Sequence, residues 1–243
     1  MRNIITRQWV LLMIAFIVSV TTFSYAANTA LPPIRVLIVG GGTSHDFDKW
    51  YRNADAKTLS RDGLCTVTYT NNTDSISAYL MNADVLYLAT NQPIKTRGRQ
   101  AILNFAANGK GLVLGHPALW YNWDDWPAYN QRLVSGGARS HDKYGSFEEE
   151  IVKTDHPVTK GVDKKFTAKD ERYHYELDIF GPGIEVLANN HVTGADTVYP
   201  SVFIVKNETA RIVCIALGHD EGSHDLVPYQ TILRNAVKWV ARQ

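Results

Sequence analysis

Short apolar runs alternate with stretches of helical spacing through the first half of the chain. The apolar runs predict strands at 34–39, 65–69, 84–89 and 111–115. Between them, apolar residues recur with helical periodicity and predict helices over 46–61, 74–81 and 94–108. Strands that alternate with helices favour right-handed crossovers, so this half predicts a parallel sheet covered by helices.

The second half of the chain has a different pattern. Residues 117–146 are rich in Trp, Tyr, Asn and Gly with weak periodicity, which predicts a long irregular insert of a kind that often carries function. Further strands are predicted at 147–152, 173–177, 184–188, 198–205 and 211–217, the last three linked as hairpins, and a final helix at 226–240. The chain is therefore predicted to be an α/β protein with a mostly parallel central sheet and additional C-terminal antiparallel strands.

The first 26 residues resemble a signal peptide. Arg2 and Arg7 form a positive segment, residues 9–20 are apolar but short for a bilayer span, and Ser24-Tyr25-Ala26 is a small-x-small cleavage pattern. An uncleaved membrane anchor is the alternative. We expect cleavage after Ala26, a single domain over residues 27–243 with no integral membrane segment, and a periplasmic or extracellular location.

Charge argues against nucleic acid as a partner. The whole chain is +1, and without Arg2 and Arg7 it has 23 basic against 24 acidic residues, a net charge of −1. A protein that binds a phosphate backbone needs a basic surface, which this balance does not supply.

Two cysteines remain in the predicted mature chain. Cys65 and Cys214 both lie in strand-like apolar runs. An exported protein can form disulfides, but the fold predicted here does not make these two strands neighbours. We expect two buried free thiols.

The glycine-rich turn after the first strand raises the question of a nucleotide. Gly40–Gly42 supplies the first two glycines of a dinucleotide-binding fingerprint, but His45 stands where the third is needed. The second strand ends at residues 69–71 with no acid for a ribose, and the chain has no G-K-[ST] sequence. The pattern excludes a nucleotide and favours a turn that brings Gly41 and Gly42 close to another ligand.

Histidines follow three of the predicted strands. His45 follows the first strand, and His116 and His219 come directly after glycines that end later strands. Because the carboxyl ends of parallel strands share one edge, His45 and His116 are expected to lie together. Glu171 offers a carboxylate, although an ion pair with Arg172 would also explain it.

Such a group of side chains suits two kinds of chemistry. Imidazoles and a carboxylate act as general acids and bases near neutral pH. They also bind divalent metals of the zinc type, and a catalytic zinc site keeps one position open. The spacing of these residues along the chain matches no local metal-binding motif, so both alternatives stay open. The candidate catalytic residues, which are also the candidate metal ligands, are His45, His116, His219 and Glu171.

Trp120, Trp123 and Trp126 are spaced three apart and interleaved with Asn and Asp. Aromatic faces stack on the apolar faces of sugar rings, and short polar side chains bond the hydroxyls. The alternative is a loop that its tryptophans hold on the core.

Several separated motifs carry a resemblance to a known family. They are "GGGTSHDF", "GKGLVLGHPA", "GGARSHDKYGSFEEEIVKTDHPVTKGV", "FTAKDERYHYELD" and "ARIVCIALGHD", which occur in the order expected of the ThuA-like (trehalose utilization) family. The resemblance spans about residues 34–241. It implies a flavodoxin-like fold similar to class I glutamine amidotransferases, a three-layer sandwich with helices on both faces of the sheet.

The resemblance also bears on function. It implies a role in the catabolism of trehalose-like disaccharides and their 3-keto derivatives, and it places His45, His116, His141, Glu171, Tyr173 and His219 at the site. The turn where amidotransferases of this fold carry a nucleophilic cysteine reads Gly115-His116-Pro117, so amidotransferase activity is rejected. Residues Arg139-Ser140 depart from the aromatic residue expected before His141. The residues predicted to bind substrate are Gly41, Gly42, Trp120, Trp123, His141, Tyr173 and Asp220.

Three functions remain as hypotheses. The first is an exported carbohydrate-processing enzyme that acts on a glycoside or 3-keto-sugar through a His/Glu acid–base or metal-assisted site. The second is a sugar-binding module without chemistry. The third is a metal-dependent hydrolase of another small substrate. The expected partner is a small carbohydrate in the first two, and the one cofactor considered is a divalent metal.

Overall fold

A computed structural model describes residues 31–120, 125–192 and 197–243. The strands in chain order are β1 (Ile34–Val39), β2 (Cys65–Thr70), β3 (Val85–Leu88), β4 (Gly111–Gly115), β5 (Gly136–His141), β6 (Gly145–Ile151), β7 (Lys165–Asp170), β8 (Tyr173–Leu177), β9 (Ile184–His191), β10 (Tyr199–Val205) and β11 (Ile212–Ile215). The α-helices are α1 (Ala56–Ser60), α2 (Ile76–Leu80), α3 (Thr96–Ala107), α4 (His116–Leu119), α5 (Pro127–Tyr129), α6 (Glu221–His224) and α7 (Val227–Val240).

Nine strands form the central sheet in the order β2-β1-β3-β4-β11-β10-β9-β6-β7. The first five are parallel, and their order matches the flavodoxin-like arrangement, in which the chain reverses its direction of travel between β1 and β3. Strands β3, β4 and β11 are buried at every position, because helices cover both faces. The predicted parallel sheet is confirmed.

The other half of the sheet is antiparallel. Strand β10 pairs antiparallel with β11 and with β9, and β6 pairs antiparallel with β9 and with β7. The predicted additional C-terminal antiparallel strands are therefore confirmed. A separate two-stranded sheet of β5 and β8 lies outside the main sheet, and its register places His141 opposite Tyr173.

Helices cover both faces of the sheet and form two apolar cores. On one face, Leu59 of α1 and Ile232 of α7 pack in the same core as Ile38 of β1. On the other face, Ile76 of α2 and Ile102 of α3 share a core with the neighbouring strand residues. Alternate residues of each strand point to opposite faces, so the sheet contributes to both cores and gives the expected three-layer sandwich.

Two strands and part of the insert differ from the sequence prediction. Strands β5 and β7 were not predicted, because β5 begins with two glycines and β7 is a short, largely polar edge strand. The insert 117–146 was predicted to be irregular, but its described part contains α4, α5 and β5. The predicted helix 46–61 is a segment Asp48–Asp55 with π-helical hydrogen bonding that continues into α1.

Residues Pro33–Gln243 form one compact unit by their internal contacts. The predicted signal peptide, residues 1–26, lies outside the described residues. Within the ranges that the structure describes, no helix has both the length and the apolar character needed to cross a lipid bilayer.

The two cysteines lie on different parts of the sheet. Cys65 begins β2 and Cys214 lies in β11, with β1, β3 and β4 between them. Neighbouring strands are about 4.8 Å apart, so the two strands are separated by roughly 19 Å. A disulfide needs the two Cα atoms within about 7 Å, and both residues are buried free thiols.

Candidate functional site

Three histidines follow three parallel strands and converge at one edge of the sheet. His45 lies in the loop after β1, His116 begins α4 directly after β4, and His219 follows β11. The ring of His45 has its centroid 5.1 Å from that of His116 and 4.7 Å from that of His219, and the last two are 5.7 Å apart. The carboxyl edge of the parallel strands is where open α/β sheets bind ligands.

A carboxylate from the antiparallel half completes this group. Glu171 lies in the short connection between β7 and β8, and its Oε2 atom is 3.4 Å from Nδ1 of His219 and 3.7 Å from Nε2 of His116. One ligand atom from each of the four residues lies within 4.8 Å of the others. We call His45, His116, Glu171 and His219 the cavity cluster.

The orientation of His116 is set by a backbone carbonyl. Its Nδ1 lies 2.6 Å from the oxygen of Ala216, and a carbonyl only accepts, so Nδ1 carries the hydrogen. The ring stacks on Tyr173, with centroids 4.2 Å apart. Nε2 therefore has a free lone pair when the imidazole is neutral; it points towards the Glu171 carboxylate, 3.7 Å away, and has no hydrogen-bond partner.

His45 is held by the loops after β1 and β3. Its Nδ1 lies 2.6 Å from the hydroxyl oxygen of Ser44, which accepts a hydrogen bond of 2.7 Å from the side-chain amide of Asn91. Burial, with the neighbouring His116 and His219 rings, lowers the pKa of His45 to about 3. This ring is neutral at physiological pH, and its buried Nε2 has no hydrogen-bond partner.

Glu171 and His219 change each other's proton affinity in opposite directions. The rings of His116 and His219 hold the pKa of the Glu171 carboxyl far below its usual range, although burial opposes them. The Glu171 carboxylate in turn raises the pKa of His219 above its ordinary value. The site thus holds an ionised carboxylate near neutral pH, next to an imidazole that titrates later than usual as the pH rises.

Asp170, which the sequence analysis did not assign to the site, organises the loop that carries His219. Its Oδ2 accepts backbone hydrogen bonds from Gly218 at 2.8 Å and His219 at 3.2 Å, and another from the hydroxyl of Ser223. The side chain is fully buried. Asp170 stands directly before Glu171 in the sequence, and this position could have marked it as a site residue. Its hydrogen-bond partners, however, are 48 to 53 residues away along the chain.

The cluster lies at a cavity of about 180 Å³. Trp120, His141 and Tyr173 line this cavity together with His45, His219 and Glu171. The Trp120 ring meets the His141 ring edge-on, with centroids 5.2 Å apart. Nδ1 of His141 donates to the carbonyl of Asp142 at 2.8 Å, which leaves Nε2 of His141 as its free acceptor.

Gly41 and Gly42 lie around His45 rather than along this cavity. They line an adjacent cavity of about 340 Å³, which shares His45 with the first. A Cβ at Gly41 would lie 2.2 Å from Nε2 of Gln92, and one at Gly42 would lie 2.1 Å from Oδ1 of Asn91. Both glycines have positive φ, a conformation that other residues rarely adopt. Because they lack a Cβ, the side chains of Gln92 and Asn91 can approach them closely.

The three tryptophans do not form one surface in the described part of the chain. Trp120 lines the cavity, whereas Trp126 is buried in the core beside Tyr129, with ring centroids 5.2 Å apart. Trp123 lies outside the described residues. Of the two described tryptophans in this segment, Trp120 lies where it could contact a sugar and Trp126 does not.

Asp220 is the N-cap residue of α6 and does not line the cavity. Its Oδ1 accepts hydrogen bonds from the backbone of Gly222 at 2.9 Å and from the Tyr144 hydroxyl at 2.7 Å. The Tyr144 ring lies 5.3 Å from that of His219, so Asp220 contacts the site through this tyrosine.

The position of an amidotransferase nucleophile is occupied by His116. This residue begins α4 immediately after β4, whereas Cys65 and Cys214 lie within strands. Burial raises the pKa of Cys65 to about 11 and raises that of Cys214 as well, so neither thiol is activated as a thiolate. The class defined by the fold and the site is an amidotransferase-like α/β protein with a histidine-rich centre instead of a nucleophilic cysteine.

The chain belongs to the ThuA family, described as trehalose utilisation, whose sequence profile matches residues 35–240. It is similar in structure to a putative ThuA-like protein from Parabacteroides merdae, with a TM-score of 0.74, 20% identity, and 86% of this chain and 90% of that chain covered. A putative ThuA-like protein from Bacteroides uniformis gives a TM-score of 0.73 and 21% identity over 89% of this chain and 95% of that chain.

A more distant similarity is to the cold-adapted beta-galactosidase from Rahnella sp. R3, with a TM-score of 0.60 and 14% identity. It covers 85% of this chain but 31% of that enzyme. At these identities the structural similarities show a common fold. No significant match to a curated protein accompanies them.

Proposed function

We propose that this protein is an exported carbohydrate-processing enzyme that acts on a glycoside or a 3-keto-sugar at the cavity. The observation that carries the proposal is the convergence of His45, His116, His219 and Glu171 at a cavity with an aromatic wall. Export rests on the signal-like pattern of residues 1–26. The trehalose utilisation family supports a sugar as the substrate.

The chemistry of a 3-keto-glycoside suits the bases that the cavity offers. The ketone acidifies the C–H bond at C2, and a base removes this proton. The electron pair then forms a C1–C2 double bond as the C1–O bond breaks, and the leaving oxygen takes up a proton. Reprotonation at carbon without cleavage would instead give an isomer.

Two side chains are available for proton removal. The Glu171 carboxylate is ionised at neutral pH because His116 and His219 lower the pKa of its acid. His141 presents its Nε2, since its Nδ1 donates to a backbone carbonyl. Nδ1 of His141 lies 3.7 Å from Oε1 of Glu171, so the two candidate bases share one wall of the cavity.

Trp120 and Tyr173 provide aromatic surface for a sugar ring. Their ring centroids are 5.5 Å apart with planes tilted by 54°, so they form a corner rather than a flat platform. The cavity of about 180 Å³ is below the roughly 300 Å³ usual for drug-sized ligands. It would receive one ring and leave the rest of a glycoside outside.

The test compares wild type with His116→Ala and His219→Ala on 3-keto-glycosides, with product detected by mass spectrometry. We expect turnover by wild type and a loss of at least about 100-fold in both variants. His191→Ala is the matched control, because His191 ends β9 away from the cavity residues and should keep full activity. Absence of wild-type turnover, or full activity in the two site variants, would overturn the proposal.

A sugar-binding module without chemistry is the second candidate, and Trp120 at the cavity favours it. Calorimetry with glycosides and their 3-keto derivatives separates the two. Saturable binding with no product after a day of incubation supports the module and contradicts the enzyme.

A further inference from the structure

We propose that the cavity cluster is a binding site for a divalent transition-metal cation of the zinc type. The cation would be held by Nε2 of His45, Nε2 of His116, Nδ1 of His219 and the Glu171 carboxylate. The inference deepens the proposed function and rests on the same cavity being the functional site. It depends on the geometry of these four side chains and not on the identity of the substrate.

The first argument is the state of the three ring nitrogens. Buried polar atoms in folded proteins nearly always have hydrogen-bond partners. In the described part of the chain, Nε2 of His45, Nε2 of His116 and Nδ1 of His219 are buried and have none. All three belong to the one group whose ligand atoms lie within 4.8 Å of each other. A shared cation would take all three nitrogens as ligands at once, with Nδ1 of His45 then carrying its hydrogen towards the hydroxyl oxygen of Ser44.

The second argument is distance. Oε2 of Glu171 is 3.4 Å from Nδ1 of His219 and 3.7 Å from Nε2 of His116, which is longer than a normal hydrogen bond of about 2.7–3.2 Å. Zinc binds nitrogen and oxygen ligands at about 2.0–2.1 Å, so neighbouring ligands of a tetrahedral ion lie about 3.3–3.4 Å apart. The separation of 3.4 Å matches the edge of such a coordination sphere, and the separation of 3.7 Å, within a group whose ligand atoms all lie within 4.8 Å, needs a small inward movement of the side chains on binding.

The third argument is the support behind the ligands. A histidine that binds a metal almost always uses its other ring nitrogen for a hydrogen bond that fixes the ring. Nδ1 of His116 bonds to the carbonyl of Ala216, and Nδ1 of His45 bonds to the hydroxyl of Ser44. The backbone of His219 is held by Asp170. The rings of His45 and His116 are therefore oriented before any cation arrives, and His219 is held through its backbone.

The donor set indicates which cations would bind. Three imidazole nitrogens and one carboxylate suit zinc and neighbouring transition metals, whereas magnesium and calcium prefer oxygen ligands throughout. A cation bound there would polarise a carbonyl oxygen of a substrate in the cavity. With the Glu171 carboxylate bound to the cation, His141 would be the remaining candidate base, because it lines the same cavity and is not in the ligand group.

The test is zinc binding by tag-free full-length protein that has been stripped with a chelator and dialysed. Calorimetric titration with zinc alone should show one saturable ion per chain, and magnesium at large excess should not compete. X-ray absorption at the zinc edge should show nitrogen and oxygen ligands at about 2.0–2.1 Å.

Four variants test whether zinc binds at the cavity cluster and not elsewhere on the protein. His45→Ala, His219→Ala and the shape-preserving Glu171→Gln should each weaken zinc binding by about 100-fold or more, with the fold checked by circular dichroism. His191→Ala is the control, because Nε2 of His191 also lacks a hydrogen-bond partner but stands outside the cluster, 3.3 Å from Glu150. Its zinc affinity should equal that of wild type.

No saturable zinc binding, or equal affinity in the ligand variants and wild type, would overturn the metal site. Zinc binding is measured without sugar, so the two proposals fail separately. A chain that binds zinc but turns over no 3-keto-glycoside contradicts the proposed function and leaves the metal site standing. A chain that turns over 3-keto-glycosides but binds no zinc supports the proposed function and contradicts the metal site.

Discussion

Two groups of histidines and carboxylates lie close together in this protein, and they differ in how completely their polar atoms are paired. The second group, which we call the closed cluster, contains Asp55, His224, Tyr51, Tyr87 and Tyr229. Asp55 accepts from the hydroxyls of Tyr87 at 2.8 Å and Tyr229 at 3.1 Å, and lies 2.7 Å from Nδ1 of His224. All five residues are almost fully buried.

His224 has an acceptor at each ring nitrogen. Nε2 lies 3.0 Å from the carbonyl of Gly218, and Nδ1 faces the Asp55 carboxylate. Burial alone would lower the pKa of His224, but the charge and hydrogen bond of Asp55 outweigh it and the pKa is raised. Acceptors at both ring nitrogens and the raised pKa favour the imidazolium form of His224, whereas the cavity cluster has three ring nitrogens with no hydrogen-bond partner.

The difference separates a structural role from a functional one. The closed cluster satisfies its buried polar groups internally and so can stabilise the fold. The cavity cluster leaves its groups available to a ligand. The two clusters meet at Gly218, whose carbonyl accepts from His224 and Tyr51 and whose N–H donates to Asp170. The closed cluster thereby positions the neighbouring His219.

Asp55→Ala should cause the largest loss of stability. It leaves the buried His224 cation without its counter-ion and two tyrosine hydroxyls without an acceptor, at a cost of about 3–5 kcal/mol in the free energy of unfolding. Urea denaturation at neutral pH measures this loss. The matched variant Glu171→Ala should lose about 1 kcal/mol or less, because the partly exposed Glu171 makes no comparable set of short bonds. Equal losses in the two variants would remove the distinction between the clusters.

Trp126→Ala and Trp120→Ala extend the comparison to the aromatic residues. Trp126 is buried in the core, so its truncation should lower the free energy of unfolding by about 3 kcal/mol. Trp120 borders the cavity and should affect stability less but weaken sugar binding by about 1 kcal/mol, measured by calorimetry. Unchanged sugar affinity in Trp120→Ala would contradict a role for this residue in binding.

The pH dependence of stability should distinguish His45 from a paired histidine. The unfolded chain protonates His45 as the pH falls through about 6.5, while the folded chain keeps it neutral down to about 3. The unfolded state binds more protons in this range, so stability falls as the pH drops from 6.5 towards 3.

Chelator-treated His45→Gln should therefore lose less stability than wild type between pH 7 and pH 5. The measurement is the free energy of unfolding in urea at both values. The raised pKa of His219 acts in the other direction, because its stabilisation is complete below 6.5 and is lost as the pH rises through its folded pKa. Parallel pH curves for wild type and His45→Gln would contradict a neutral, buried His45.

Asp220→Ala should have the smallest effect. Asp220 caps the N-terminus of α6 and accepts hydrogen bonds from Gly222 and Tyr144, so its loss should lower the free energy of unfolding by about 1 kcal/mol. Sugar affinity in the same variant should change little, since the side chain does not line the cavity. A large loss of sugar affinity would instead support the sequence prediction that Asp220 binds the substrate.

Much of the fold could be predicted from the sequence, because three of the parallel strands, β3, β4 and β11, are buried at every position and appear as continuous apolar runs. The run in β4 was predicted to the residue, and β1 likewise. Strand β7 was missed because its inward face carries only Phe166 and Ala168 before the polar Asp170, so the alternation of apolar and polar residues is too short to stand out. The histidines at the site were predicted from a different kind of signal, their position after strands that must share an edge.

The sequence by itself determined the alternation of strands and helices, the histidine in place of a nucleophilic cysteine, and which histidines reach the ligand edge. These features are local, because side chains repeat every two residues in a strand and every 3.6 in a helix. The tertiary structure alone decided which ring nitrogen each histidine presents, that Trp120 and Trp126 face different surroundings, and that Asn91 and Gln92 occupy the space beside Gly42 and Gly41. The physical reason is distance along the chain, since the bond between Asp55 and His224 joins residues 169 positions apart and no local pattern encodes such a pair.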